Sequence, residues 1–414
     1  MSLKKFLLFA LLIFSLVACS VKKSETPGAA TPTELSNEEV SDLTSYSFQK
    51  RFFVTQAKIL NGIAYLDLVE VGDSIEATKI RAIDLPTGNV LWTIDQKLLL
   101  PSTNDGNRIF LLTSNGIAAY SMNNGTEIWR KNLTLDEYPI GELLASTDGL
   151  LFYADSQGAQ SFTHVYAFDT KTGTNIWTTS IESNLDPFAS VALPKSGYRA
   201  IGYDDGKLYL RLCGEDSVHW KYVALDAKSG KKLWEFTFKM AIPQEGIVTG
   251  VASEPVLGQE RLYFGTYDDH FYSLNKSTGQ LIWDRKQPFH RPISNNGRFF
   301  ALDSSGEVLN AFNAVTGELE WTKPFLDQSE LGRLSAIIFD DRLIVFVAPV
   351  SFDEPYIRIT ATNLKTGQGT YTLQSAISKE CSGFALALSV FSGKLYGITD
   401  SCVIVVDDID RFIK

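Results

Sequence analysis

An eleven-residue pattern recurs seven times in this 414-residue chain, and it limits the possible folds more than any other feature. It reads AIDLPTGNVLW from Ala82, AYSMNNGTEIW from Ala119, AFDTKTGTNIW from Ala167 and ALDAKSGKKLW from Ala224. It returns as SLNKSTGQLIW from Ser273, AFNAVTGELEW from Ala311 and ATNLKTGQGTY from Ala361. The first residue is Ala or Ser, the third is Asp or Asn in all but one copy, and the seventh is always Gly. The last is Trp except at Tyr371. The Gly–aromatic pairs are Gly88 and Trp92, Gly125 and Trp129, Gly173 and Trp177, Gly230 and Trp234, Gly279 and Trp283, Gly317 and Trp321, and Gly367 and Tyr371. Self-similarity of this kind is the signature of a repeat array.

Each copy reads as strand, tight turn, strand. The Asx side chain accepts hydrogen bonds from turn amides, and Gly supplies the positive φ of a type I turn followed by a bulge. Upstream lie further strand patterns such as RIFLLT, KLYLRL and RLYFGT, preceded by turn pairs such as Asn61-Gly62, Asp148-Gly149, Asp205-Gly206 and Asn296-Gly297. The repeating unit therefore has four strands, named A to D here. The Gly-to-Gly spacings are 37, 48, 57, 49, 38 and 50 residues, the scale of a propeller blade. A four-stranded sheet cannot bury both faces alone, and radial stacking buries them while leaving only short edges.

The pattern AxDxxTGxxxW resembles the blade repeat of the pyrroloquinoline-quinone (PQQ)-type propellers, from about Ser45 to the end of the chain. That family includes quinone-dependent dehydrogenases and BamB-type lipoproteins of outer-membrane barrel assembly. The resemblance implies that each motif Trp docks against the neighbouring blade. It is specific for the fold, and no binding residue carries over from it.

The expected fold is all-β: an eight-bladed propeller of four-stranded antiparallel blades. Segments 384–391, 394–399 and 402–406 read as strands A to C of a last blade, and Ser45–Thr55 reads as its missing strand D. Such closure removes both free edges. The alternative is seven blades with a loose extra sheet.

Before the propeller, residues 1–18 read as a signal sequence. Lys4 and Lys5 precede an apolar run too short to span a bilayer. Leu16-Val17-Ala18-Cys19 looks like a bacterial lipobox, which makes Cys19 the expected lipidation site and membrane anchor. Residues 19–44 read as a flexible tether rich in Ser, Thr, Pro and Glu, and 45–414 as one domain. The expected location is outside the cytoplasm: the outer membrane facing the periplasm in a Gram-negative cell, otherwise the cell surface. A monomer is expected.

By strand alternation, A–B and C–D turns share one face, and the longer B–C and D–A connections share the other. The longer loops are acidic: Glu70, Asp73, Glu76, Asp155, Glu215, Asp216, Asp268, Asp269, Asp353 and Glu354, with Tyr356 beside them. They form the candidate partner-binding face. The chain carries a net charge of −10, which argues against nucleic acid and favours a basic or polar partner, expected among envelope proteins. Solvated carboxylates that only confer solubility are the competing reading.

Catalytic signatures are sparse. There is no Cys-Cys pair, no CxxCH and no DxDxDG loop, and the four histidines show neither HxH nor HExxH spacing. The expectation is therefore a non-catalytic interaction scaffold of BamB type with no metal and no cofactor, neither PQQ nor calcium. The alternatives are an extracytoplasmic PQQ-type oxidoreductase or other propeller enzyme, and a cell-surface ligand or polysaccharide sensor. Cys381 and Cys402 fall at one end of the last blade and are an expected disulfide; Cys213 is expected to be free.

Overall fold

The structure, a computed structural model, describes residues 43–47, 52–70, 78–96, 103–113, 116–133, 141–145, 148–155, 162–182, 201–213, 219–239, 256–266, 270–286, 290–295, 297–303, 308–324, 334–347, 356–376, 385–399 and 401–409. All lie within Glu38–Lys414, one of the two units into which the chain divides. The expected signal sequence, Cys19 and most of the expected tether lie outside the described residues.

Among the described residues, thirty-two strands form eight antiparallel four-stranded sheets. Blade 1 is typical: Phe52–Leu60, Ile63–Glu70, Thr78–Asp84 and Val90–Gln96 hydrogen-bond in that order. The next six blades repeat this order. The eighth combines Ala385–Phe391, Lys394–Thr399 and Cys402–Val406 with the N-terminal strand Leu43–Ser47, whose Leu43 opposes Val406. The protein is an eight-bladed propeller closed by strands from both ends of the chain.

One detail corrects the expectation. Ser45–Thr55 is not a single strand. Residues up to Ser47 complete blade 8, whereas Phe52–Leu60 is strand A of blade 1. The Asn61-Gly62 turn needs a long partner running into it, and Leu60 pairs directly with Ile63.

The motif builds its hairpin as follows. In blade 4, the Gly230 N–H donates to the Asp226 carbonyl and the Asp226 N–H donates to the Lys231 carbonyl, both at 2.8 Å. The Asp226 carboxylate accepts the Ser229 N–H at 2.8 Å and its hydroxyl at 2.6 Å. The Ser229 bonds hold this carboxyl below the usual carboxylate range. The register slips after Ala224, which stands opposite Trp234, so a bulge follows the turn. The same slip occurs after Ala82, Ala119, Ala167, Ser273, Ala311 and Ala361. These first-position residues are fully buried and pair with the large ring, which explains why they are small.

Each A–B turn carbonyl also accepts a backbone N–H from the C–D turn of its own blade. Examples are Leu85 N–H to Gly62, Ala227 N–H to Gly206 and Ile409 N–H to Gly393, at 2.9–3.1 Å. The two short turns therefore share one face, as strand alternation requires. Eight apolar clusters make up the core, one per blade junction, including one that joins Val54 and Leu66 of blade 1 to Ile398 and Val405 of blade 8. Strands B and C are sandwiched and read as apolar runs. Strand D is the outer edge, and in blade 4 its exposure alternates.

Candidate functional site

The motif Trp residues lock the ring. Trp92, Trp129, Trp177, Trp234 and Trp283 each donate their indole N–H to a turn carbonyl of the next blade, at 2.9–3.1 Å. Each ring also lies against the next blade's motif glycine. A Cβ added at Gly230 would stand 2.6 Å from the Trp177 ring, and one at Gly279 would stand 2.5 Å from Trp234. The glycine thus has two duties, a positive φ and a bare Cα for the ring. Trp321 packs on Gly367 in the same way, but its buried indole N–H finds no partner among the described residues.

Blade 5 contains an exception, signalled in the sequence only by a break in the motif. The fourth motif position is apolar or Thr in most copies, but here it is Lys276, which is buried. Its ammonium reaches across the junction to the Asp204 carboxylate of blade 4 and donates to the Gly258 carbonyl at 3.0 Å.

The opposite face carries the B–C loops. Glu70, Asp155 and Tyr356, three residues of the expected partner surface, lie at strand ends. Their side chains lie outside the described residues. So do Asp73, Glu76, Glu215, Asp216, Asp268, Asp269, Asp353, Glu354 and Cys381. Cys402 is fully buried and disulfide-bonded.

Two histidines have described side chains, both on strand C. His164 Nδ1 is 2.9 Å from Ser180 Oγ, and His270 Nδ1 is 2.9 Å from Asp284 Oδ1. On blade 2, Tyr120, Glu127 and Arg130 form a compact polar cluster, with Tyr120 Oη 2.9 Å from both Glu127 Oε2 and Arg130 Nη2. Burial, followed by the Glu127 hydrogen bond, pushes the Tyr120 phenol up to about 12. Among the described residues no three His, Cys, Asp or Glu side chains converge.

The sequence matches the family described as "Outer membrane protein assembly factor BamB" over residues 76–223 and 219–380. The chain belongs to this PQQ-repeat family. Over 136 residues it is 27% identical to quinoprotein alcohol dehydrogenase PedH of Pseudomonas putida, covering 30% of this chain and 22% of that relative. The match therefore spans less than a quarter of PedH. In structure it is similar to BamB from Moraxella catarrhalis, with a TM-score of 0.57, 15% identity and coverage of 87% of this chain and 98% of the other. It is equally similar to quinohemoprotein alcohol dehydrogenase from Comamonas testosteroni, with a TM-score of 0.58, 13% identity and coverage of 90% and 78%. At these identities the structural likeness shows the fold.

These matches correct two expectations. The chain cannot be set down as a non-enzyme, nor PQQ and calcium as absent, because its blades match quinoprotein dehydrogenases as well as assembly factors. The exclusion rested on local motifs such as a Cys-Cys pair. In a propeller, residues from many blades meet at one end of the ring, so local spacing does not test for such a site.

Proposed function

We propose that this chain works outside the cytoplasm as a quinoprotein-type oxidoreductase, with an anionic quinone such as PQQ as cofactor and small alcohols as the substrate class. The observation that carries this reading is the sequence match with PedH. The cofactor would supply the two-electron redox chemistry. The described residues contribute no metal-ligating cluster, so the binding groups would have to come from the loop face. Purified protein titrated with PQQ, with and without calcium, tests this directly. The expected result is saturable quenching of Trp fluorescence and a rise in Tm, with a stabilisation of about 2.7 kcal/mol at a hundredfold excess over Kd. Dye-linked oxidation of ethanol should then appear. The absence of both quenching and a Tm shift would overturn the reading.

The family match favours a second reading, docking within an outer-membrane assembly complex. Here the acidic loop face around Glu70, Asp155 and Tyr356 meets a basic or polar envelope protein, and lipidation of Cys19 holds the propeller at the membrane. Cross-linking in native cells followed by pull-down tests the first part. Recovery of barrel-assembly components supports it, and recovery of no envelope protein counts against it. Loss of membrane association in Cys19→Ser tests the second.

A further inference from the structure

Blade 8 is the one blade whose two junctions both lack the motif Trp. The Ile409 N–H bonds the Gly393 carbonyl as the Leu85 N–H bonds Gly62, so Ile409 stands at the fourth motif position and Val406 at the first. In other blades the first position faces the motif Trp, as Ala82 faces Trp92, but Val406 faces Leu43. A leucine side chain has no N–H to give to blade 1. On the other side, Tyr371 replaces the Trp of blade 7. Counting on from Ile409 puts Phe412 at the seventh position, where the seven motif copies all have Gly.

What holds blade 8 is apolar packing and one short strand. Ile344, Phe346 and Ile357 of blade 7 cluster with Leu395 and Ile404, and Leu66 and Leu68 of blade 1 cluster with Ile398 and Val403. Leu43–Ser47 meets Cys402–Val406 in five residue pairs. In the other blades strands C and D are consecutive and joined by a tight turn, which keeps D beside C; here D comes from the far end of the sequence. A covalent bond sits where this strand ends. Cys402 faces Ser47, the last residue of the closing strand, and is fully buried and disulfide-bonded. Its N–H donates to the Oγ1 of buried Thr399 at 2.9 Å, which fixes its backbone. Apart from Cys213 in blade 4, no strand of the other blades contains a cysteine.

We propose that blade 8 is the opening seam of the ring and that the Cys402 disulfide is its latch. The bond supplies the restraint that the tryptophans supply elsewhere. A dithiol reductant breaks the Sγ–Sγ bond: two electrons and two protons pass to the sulfurs, giving two thiols, and the dithiol closes to a disulfide. Blade 8 and Leu43–Ser47 then open locally and bare the apolar Cys402–Val406 edge, while the clamped blades stay folded. The latch rests on neither the quinone nor the docking reading.

The test is hydrogen exchange on the full chain, oxidised and after incubation with dithiothreitol, with free thiols counted to establish that the bond is reduced. On reduction, amides of residues 43–60 and 385–409 should exchange about tenfold faster or more, and the C–D hairpins of blades 2 to 5 less than about twofold faster. Cys381→Ser removes the expected partner of Cys402 but leaves the buried Cys402 in place, and should show the same pattern without reductant. Leu43→Trp supplies the missing indole. Leu85 and Gly88 stand in the motif where Met122 and Gly125 receive Trp92, and Gly88 has φ +71°. Reduced Leu43→Trp should therefore exchange nearly as slowly as the oxidised protein. Exchange unchanged by reduction overturns the proposal. So does acceleration spread evenly over all eight blades, and so does reduced Leu43→Trp exchanging as fast as the reduced parent.

Discussion

Gly206 and Gly230 have nearly the same backbone, at φ +69° and +70°, but different surroundings. A Cβ at Gly206 meets nothing within 4 Å, whereas at Gly230 it meets the Trp177 ring. Gly206→Ala should cost about 1–2 kcal/mol, the left-handed strain alone. Gly230→Ala should cost more, and Gly230→Val should unfold the protein or lower Tm strongly, because a β-branched side chain meets both penalties. Equal loss in the two alanine variants, read by urea titration, would refute the second duty assigned to the motif glycine. Blade 7 carries the opposite case. Its A–B turn has Asp340 at φ +47° and Asp341 at φ +56°, with Asp341 where five of the other seven blades have Gly. Asp341→Gly should therefore stabilise the protein by roughly 0.5–1 kcal/mol, since its ion pair with Lys365 is exposed and contributes little. An unchanged or lower midpoint would contradict this.

At the level of the blade, the indole clamp separates strong junctions from weak ones. Trp234 donates a hydrogen bond across its junction, whereas the Trp321 indole N–H has no partner among the described residues. Trp234→Phe should therefore cost about 1 kcal/mol more than Trp321→Phe, the usual net value of one buried hydrogen bond. Similar losses in the two variants would remove the hydrogen bond from the account. The blade 4–5 junction has a further link in Lys276 and Asp204. Removing the acid leaves a buried ammonium with a single carbonyl partner, whereas removing the lysine leaves a carboxylate that water reaches. Asp204→Ala should cost about 2 kcal/mol and Lys276→Met close to nothing. A reversed order in thermal melts would show that the pair acts in some other way.

In the whole ring, closure depends on five residues from one end of the chain. Leu43–Ser47 covers the edge of Cys402–Val406, and the blade 8–1 core lies behind that sheet. Deleting the strand would bare an apolar edge and open the array. A variant starting at residue 48 should lose about 10 °C or more of Tm, or aggregate; a melt matching the intact chain would refute the closure. Blade 8 reaches this geometry without the motif. Asp407-Asp408 replaces the Gly-bearing turn, yet the Ile409 N–H still bonds the Gly393 carbonyl as its counterparts do.

The repeat was legible because hairpin chemistry is local. Asx at one position and Gly four residues later specify a turn wherever they occur, and six tryptophans at constant spacing announce six equivalent junctions. The eight-blade reading was also legible, since three unpaired strands at one end and one at the other pair most simply as a closing blade, although the same strands left seven blades with a loose sheet open until the Leu43–Ser47 pairing decided it. What the rings and charges do across a junction was not. Gly230 against Trp177, Lys276 against Asp204 and Phe236 against Tyr272 are pairs from different blades, 36 to 72 residues apart. Local sequence spacing carries no signal for contacts of that range. The sequence alone thus determined the strands, the turns and the repeat, because each depends on neighbours along the chain. Only the tertiary structure decided which glycines carry a ring, which acid meets the buried lysine and how the last blade closes, because those depend on how sheets from distant parts of the chain stack.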